Sequence, residues 1–312
     1  MAGQGGAVAD SLTPPDPRSP HRPGDGWVEC RCGHRHWGRH GAAGLLLWRP
    51  LTPGSPRDYA VVLQHRALWS HHGGTWGLPG GAIDPGETHV QGALREAQEE
   101  AALPPSGMAV RAAYRLEHPD WSYTTVVAEA VADIEPRVSD PESLGVAWVE
   151  GAAVRDRELL PAFADALPAL RRLVGRRLVL VVDGANTMGS RPDGWWRDRA
   201  GAIERLRDEL AVLATTGLRA ERVGLPGHTW FPHVVLVAEG QGRGAVAVPA
   251  VDGVGRVDVV DAPGEGDEEI VAQAERHGRE GADVVVVTAD RELRARVEAS
   301  GARVAGPSLV LG

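Results

Sequence analysis

Glu96, Glu99 and Glu100 recur at i, i+3 and i+4 in a stretch, Thr88 to Glu100, that is free of proline. In a helix this spacing puts three carboxylates on one face, one turn apart. Like charges so placed repel unless a cation sits among them, so a fold containing this helix must either leave the face in water or build a cation site around it. Hard oxygen donors in a partly hydrated site favour magnesium or manganese. The preceding Asp84-Pro85-Gly86-Glu87-Thr88 reads as a turn opening into a helix start. The three glutamates alone would also suit a solvated acidic face.

The register around them is more specific. From Gly81 the chain reads G-x5-E-x7-R-E-A-x-E-E, and Trp76-Gly77-Leu78-Pro79-Gly80 leads into it. This resembles the Nudix box of hydrolases acting on a nucleoside diphosphate linked to another group. The resemblance implies an α/β/α sandwich with a mixed sheet and a requirement for Mg2+ or Mn2+. It makes Glu96, Glu99 and Glu100 metal ligands, with Glu99 or Glu100 also a catalytic base. Gly81, Glu87 and Arg95 take structural roles, Glu87 and Arg95 as a salt bridge locking loop to helix. The metal would neutralise the diphosphate and polarise phosphorus for attack by water.

One departure is Ala102, where the family has glycine; alanine there implies a slightly different helix exit. The family often recruits a further carboxylate from a later loop near a strand ending in Ala-Trp-Val. Here Ser139-Asp140-Pro141-Glu142 precedes Ala147-Trp148-Val149. Glu142 is the candidate ligand or base, and it equally suits a surface turn. Trp121 and Tyr123 could stack on a base, although strand aromatics more often belong to a core. Pro119 lies near an offset seen in ADP-ribose-cleaving members, or simply marks a turn. His65, His71 and His72 fall near the expected pocket mouth.

The chain has 312 residues, which suggests two domains. Residues 1–26, rich in Gly, Pro, Ser and Asp, read as a disordered segment. The first domain is expected over 27–174, with strands at Gly44–Trp48, Tyr59–Gln64 and Tyr123–Val131 and a closing helix at Arg157–Val174. A second domain, 175–312, alternates apolar β-branched strands with polar helices, which implies a parallel sheet covered on both faces. Its expected strands are Leu178–Val182, Val234–Ala238, Val257–Val260 and Val284–Thr288.

In that second domain acidic residues follow strand ends: Asp183, Asp290 and, opening a helix, Asp267. Ligands of open parallel sheets bind at the carboxyl ends of strands. The arrangement resembles the NYN domains, related to PIN ribonucleases, of the YacP-like type. On that resemblance Asp183, Asn186, Asp267 and Asp290 form a second metal site for cutting RNA, with Glu239 a weaker addition. Each has a local alternative, as a turn residue, a helix cap or a complement to a helix dipole. Arginines at 171, 172, 176 and 177, and at 191, 197 and 199, could guide RNA.

The net charge of −9 weighs against tight non-specific nucleic-acid binding. There is no lysine, which excludes a lysine nucleophile or phosphate-binding lysine. No apolar run approaches the ~20 residues of a membrane span, and no secretion signal is evident. With two cysteines only, a disulfide framework is excluded and a cytoplasmic location is expected. Cys30, Cys32, His34 and His36 have zinc-ligand side chains. Laid on an extended strand they would stretch across ~20 Å, and they could converge only in a tight knuckle; no second cysteine pair exists.

The expected protein is thus a Mg2+-dependent nucleotide pyrophosphohydrolase acting on a nucleotide, with an attached ribonuclease domain whose partner would be RNA. The alternative is a nucleotide-sensing Nudix domain that regulates an RNA-binding or RNA-cleaving NYN domain.

Overall fold

The computed structural model describes residues 22–311 except 53, 54, 56, 57, 71 and 193. The N-terminal part contains β1 (Trp27–Glu29), β2 (Arg35–Trp37), β3 (Ala42–Pro50), β4 (Tyr59–Arg66), β5 (Trp76–Gly77), β6 (Gly80–Ala82), α1 (His89–Ala101), β7 (Met108–Glu117), β8 (Ser122–Ala130), β9 (Ser143–Glu150) and α2 (Pro161–Leu170). The C-terminal part contains β10 (Leu178–Asp183), α3 (Gly184–Gly189), α4 (Arg199–Thr216), β11 (Leu218–Arg219), β12 (Thr229–Trp230), β13 (His233–Ala238), β14 (Val257–Asp261), α5 (Gly266–Arg279), β15 (Asp283–Val287), α6 (Arg291–Ala299) and β16 (Arg303–Ala305).

The first sheet is mixed. β3 pairs β8 in parallel, whereas β3–β4, β4–β9, β3–β6 and β7–β8 are antiparallel. Alternation along β3 sorts its side chains. Ala43, Leu45 and Leu47 face a core shared with Ala93, Leu94, Ala97 and Ala101 of α1. Leu46 and Trp48 point the other way, into a core shared with Phe163, Leu167 and Leu170 of α2. The alanines on the inner face of α1 let it lie close to the sheet, which brings its glutamates up to β6. The helix starts at a reciprocal cap: Thr88 Oγ1 accepts the Gln91 N–H at 3.2 Å, and Gln91 Oε1 accepts the Thr88 N–H at 2.9 Å.

The second sheet is all parallel, in the order β14-β13-β10-β15-β16. The expected strands and helices are present, and β16 adds a fifth strand that the sequence pattern did not reveal. Its order reverses direction between β10 and β15, which creates a switch point at the carboxyl ends of those strands. Val179 and Val181 pack towards α5 and α6, while Leu178, Leu180 and Val182 enter the core reached by Leu46, Trp48 and α2.

One apolar core therefore runs through both sheets. The junction is reinforced by pairing: β12 extends the first sheet along β7, with Thr229 opposite Ala113 and Trp230 opposite Ala112. Trp230 is fully buried, and its indole N–H reaches Pro226 O at 2.7 Å. Val110 N–H donates to Gly253 O at 3.0 Å. Buried Glu129 on β8 accepts from Arg111 at 2.6 and 3.0 Å and faces Arg177, just before β10, at 3.3 Å.

Some expectations change. The helix expected over Arg157–Val174 is confined to Pro161–Leu170, because proline fits the first turn of a helix and Gly175 (φ 78°) closes the turn that follows. Residues 1–21 of the expected disordered segment lie outside the described residues. Residues 22–26 are instead packed against the chain: Gly24 N–H donates to Asp84 at 2.9 Å, and Arg39 N–H to Gly24 O at 2.9 Å. No helix among the described residues is long and apolar enough to cross a membrane.

Candidate active site

The residues of the candidate site come from β6, α1 and the loop before β9. Arg95 is the clamp. Its Nε and one terminal nitrogen hold Glu87 at 2.8 and 2.9 Å, and the same nitrogen donates to Ala82 O at 2.9 Å. Its other terminal nitrogen reaches Glu96 at 2.6 Å and Glu99 at 3.3 Å. One guanidinium thus ties the loop to the helix and orients two of the three glutamates.

The three glutamates sit in different settings. Glu99 side chain is 40% exposed and Glu96 13%; Glu100 is 6% exposed and accepts the Gly80 N–H at 2.8 Å. Burial pushes the Glu96 carboxyl up to about 7, against the opposing pull of Arg95. Burial pushes Glu100 well above the usual carboxylate range, with Glu96 and Asp140 adding to the effect. Buried carboxylates with too little positive charge beside them are what a cation site presents. Arg22 meets part of this demand from outside, bridging Glu99 and Asp84.

Glu100, Asp140 and Glu142 offer oxygens that all lie within 4.8 Å of one another. Glu142 is thereby brought to the box, and Asp140 is a member that sequence reasoning missed. Asp140 is half-buried and raised by that burial; it accepts Ser143 Oγ at 2.9 Å, and Ser143 accepts Gln64 at 2.8 Å. The adjacency of two acids around Pro141 was the available signal. The loop is seated on the end of α1, where Arg137 N–H and Ser139 N–H donate to Ala101 O and Glu100 O at 3.0 and 3.3 Å. Ala102 adopts φ 53°, ψ 36°, the left-handed exit a glycine would take, so the expected change of exit does not occur.

A NUDIX domain model matches residues 38–173. The chain is 49% identical over 154 residues, 47% of its length, to a putative 8-oxo-dGTP diphosphatase 3 of Mycobacterium tuberculosis, and takes in 69% of that protein. The chain belongs to the Nudix family. It is also 48% identical over 150 residues to a nucleoside triphosphate pyrophosphatase/Nudix hydrolase fusion protein of Bifidobacterium longum, spanning 47% of this chain and only 31% of that protein. The crystal structure of a Nudix hydrolase from M. smegmatis, RenU, covers 47% of this chain and 93% of its own, at 47% identity and a TM-score of 0.43. That of Rae1 (YacP) from Bacillus subtilis covers 43% of this chain and 72% of its own, at 19% identity and a TM-score of 0.32.

Around the Nudix box the expected aromatics are engaged. Trp121 stacks on His36 with ring centroids 4.4 Å apart and planes 10° apart, and its indole N–H reaches Trp37 O at 3.0 Å and Gly38 O at 3.1 Å. One of its faces is therefore taken. The Tyr123 hydroxyl is pushed up by burial and by nearby Glu100 and Glu96, which places it beside the carboxylates. His65 stacks on Trp76, centroids 4.8 Å apart, and contacts Gly74 O at 3.0 Å. His71 lies outside the described residues.

In the parallel sheet, Asp183 ends β10 and caps α3. It accepts the Asn186 N–H at 3.0 Å and, across the switch point, Thr288 Oγ1 at 2.8 Å. Asn186 accepts the Ala289 N–H at 2.8 Å. Asp290 caps α6 through the Glu292 and Leu293 N–H groups at 2.8 and 2.9 Å. Asp267 opens α5 and faces Arg296 at 3.6 Å. Glu239 accepts the Gly266 N–H at 2.6 Å. Burial raises the Asp183 carboxyl, with Asp267 and Glu239 nearby adding to it. Among the described residues these acids form no group of three within 4.8 Å. Of the arginines expected to guide RNA, Arg176 is paired with Asp283, Arg177 with Glu129 and Arg191 with Glu209.

Proposed function

We propose that the Nudix domain hydrolyses the diphosphate of a nucleoside diphosphate linked to another group, with Mg2+ or Mn2+. The observation carrying this is the convergence of Glu100, Asp140 and Glu142 beside Glu96 and Glu99. Their all-oxygen donor set and the raised Glu96 and Glu100 carboxyls fit a hard divalent ion. Glu96, Glu99, Glu100 and Glu142 would hold it, and when bound it supplies charge neutralisation for the diphosphate. Arg95 orients Glu96 and Glu99. The Gly80 N–H fixes Glu100. Glu99, the most exposed of the three, would take the proton from an attacking water.

The name of the mycobacterial relative puts 8-oxo-dGTP first among compounds to test, beside ordinary nucleoside triphosphates, ADP-ribose, dinucleotide cofactors and capped RNA. Turnover is measured as phosphate or nucleoside monophosphate release, with Mg2+ and with Mn2+. Release from one class identifies the substrate. Tight metal-dependent binding of one compound with no turnover of any would instead establish a nucleotide sensor.

A second activity is proposed for the parallel sheet: metal-dependent cleavage of RNA at the β10–β15 switch point, through Asp183, Asn186, Asp267 and Asp290. The buried Asp183 carboxyl, close to Asp267 and Glu239, favours this over plain helix capping. RNA cleavage that is unchanged in Asp183→Asn would leave this region as a binding or scaffolding unit.

A further inference from the structure

We propose that Cys30, Cys32 and His36 bind a zinc ion that pins the N-terminal hairpin to the strand end carrying Trp121. The site is separate from the carboxylate cluster and differs from it in chemistry.

The hairpin supplies the knuckle that an extended reading of the residues could not. β1 and β2 pair with Glu29 opposite Arg35 and Val28 opposite His36. Between them the chain turns sharply: Gly33 N–H donates to Cys30 O at 2.9 Å, and Cys30 N–H to His34 O at 3.1 Å. Gly33 takes φ 88°, a conformation side-chain-bearing residues resist. The turn folds Cys32 back over the hairpin, so the Cys30, Cys32 and His36 ligand atoms all lie within 4.8 Å of one another. Cys32 Sγ stands 3.2 Å from His36 Nε2. Zinc–sulfur bonds of ~2.3 Å and zinc–nitrogen bonds of ~2.1 Å in a tetrahedron set such atoms about 3.3–3.8 Å apart. The Cys32–His36 pair need open only slightly to admit the ion. His34 remains at the exposed tip and is outside the group.

Two further features suit the site. Thiolate and imidazole donors select zinc over magnesium. The His36 ring is already oriented by its stack on Trp121, and His118 stands beside it with ring centroids 4.3 Å apart. The hairpin tip is tied to the same loop, since Arg31 N–H donates to Asp120 at 2.8 Å. The ion would thus brace the 118–121 loop and the indole that hydrogen-bonds Trp37 and Gly38.

The test uses the full chain purified under reducing conditions. Zinc is counted by elemental analysis after dialysis against Mg2+, and Co2+ is added to the metal-stripped chain to look for a thiolate charge-transfer band. The expected result is one tightly held zinc per chain and a cobalt–thiolate band in the wild type and in His34→Ala. The band is lost in Cys32→Ser, and His36→Ala binds at least about tenfold more weakly. Because Cys32→Ser could misfold, thiol alkylation of the wild type provides an independent readout and must release the zinc. No retained zinc, a Cys32→Ser chain that holds it as tightly, or zinc indifferent to alkylation would overturn the proposal. So would two thiols found joined as a disulfide in the freshly purified chain.

Discussion

Gly81 and Glu96 are in such close register that a Cβ on Gly81 would stand 2.8 Å from the Glu96 carboxylate carbon and both its oxygens. The glycine of the box is therefore explained by the space the glutamate needs. Gly81→Ala is expected to keep the fold, judged by circular dichroism, and to weaken Mn2+ binding by about 10- to 100-fold through displacement of Glu96. Unchanged Mn2+ affinity would show that Glu96 is not a ligand.

Ala102 carries a left-handed conformation that costs a residue with a side chain roughly 1–2 kcal/mol. Ala102→Gly removes that cost but adds freedom to the unfolded chain. The net effect is a stabilisation of about 1 kcal/mol, read from denaturant midpoints. A destabilised variant would mean that the alanine methyl does more for packing than its backbone conformation costs.

The Arg95 hydrogen bonds hold the Glu87 carboxyl below the usual carboxylate range. A carboxyl lowered on folding contributes stability above its unfolded pKa and loses it as pH falls through its folded pKa. Glu87→Gln should therefore cost about 2 kcal/mol at pH 7. The gap between variant and wild type should close as pH falls below about 4. A penalty of equal size at pH 3 and pH 7 would place the role of Glu87 in something other than its charge.

Glu129 is buried between Arg111 and Arg177, at the seam of the two sheets. Glu129→Ala leaves a buried arginine without its partner, at a cost of about 3–5 kcal/mol. Because one core crosses the seam, the wild-type chain should unfold in a single transition, with tryptophan fluorescence and circular dichroism coinciding. Two separate transitions in the wild type would contradict a shared core.

The box was legible because its information lies in spacing: helix geometry turns i, i+3 and i+4 into one face, and nothing distant is needed. Glu142 and Asp140 were half legible, since which acid of a Pro-bracketed pair turns inward depends on how the loop seats on α1. β11 and β12 were invisible. Each is two residues long, and the partner of β12, β7, lies more than a hundred residues earlier in the chain, so no local period betrays them. The same long-range pairing fuses two units that composition separates near Gly175. At Cys30–His36 an extended reading predicted divergence, and the single left-handed Gly33 reverses the outcome.

The most direct test of the central claim is the rate of diphosphate hydrolysis with Mg2+, on the compound that the panel identifies, for the wild type and Glu99→Gln. The account predicts turnover that stops on chelation and falls by about 10²- to 10⁴-fold in the variant. Turnover that survives chelation, or that proceeds equally in Glu99→Gln, would contradict it.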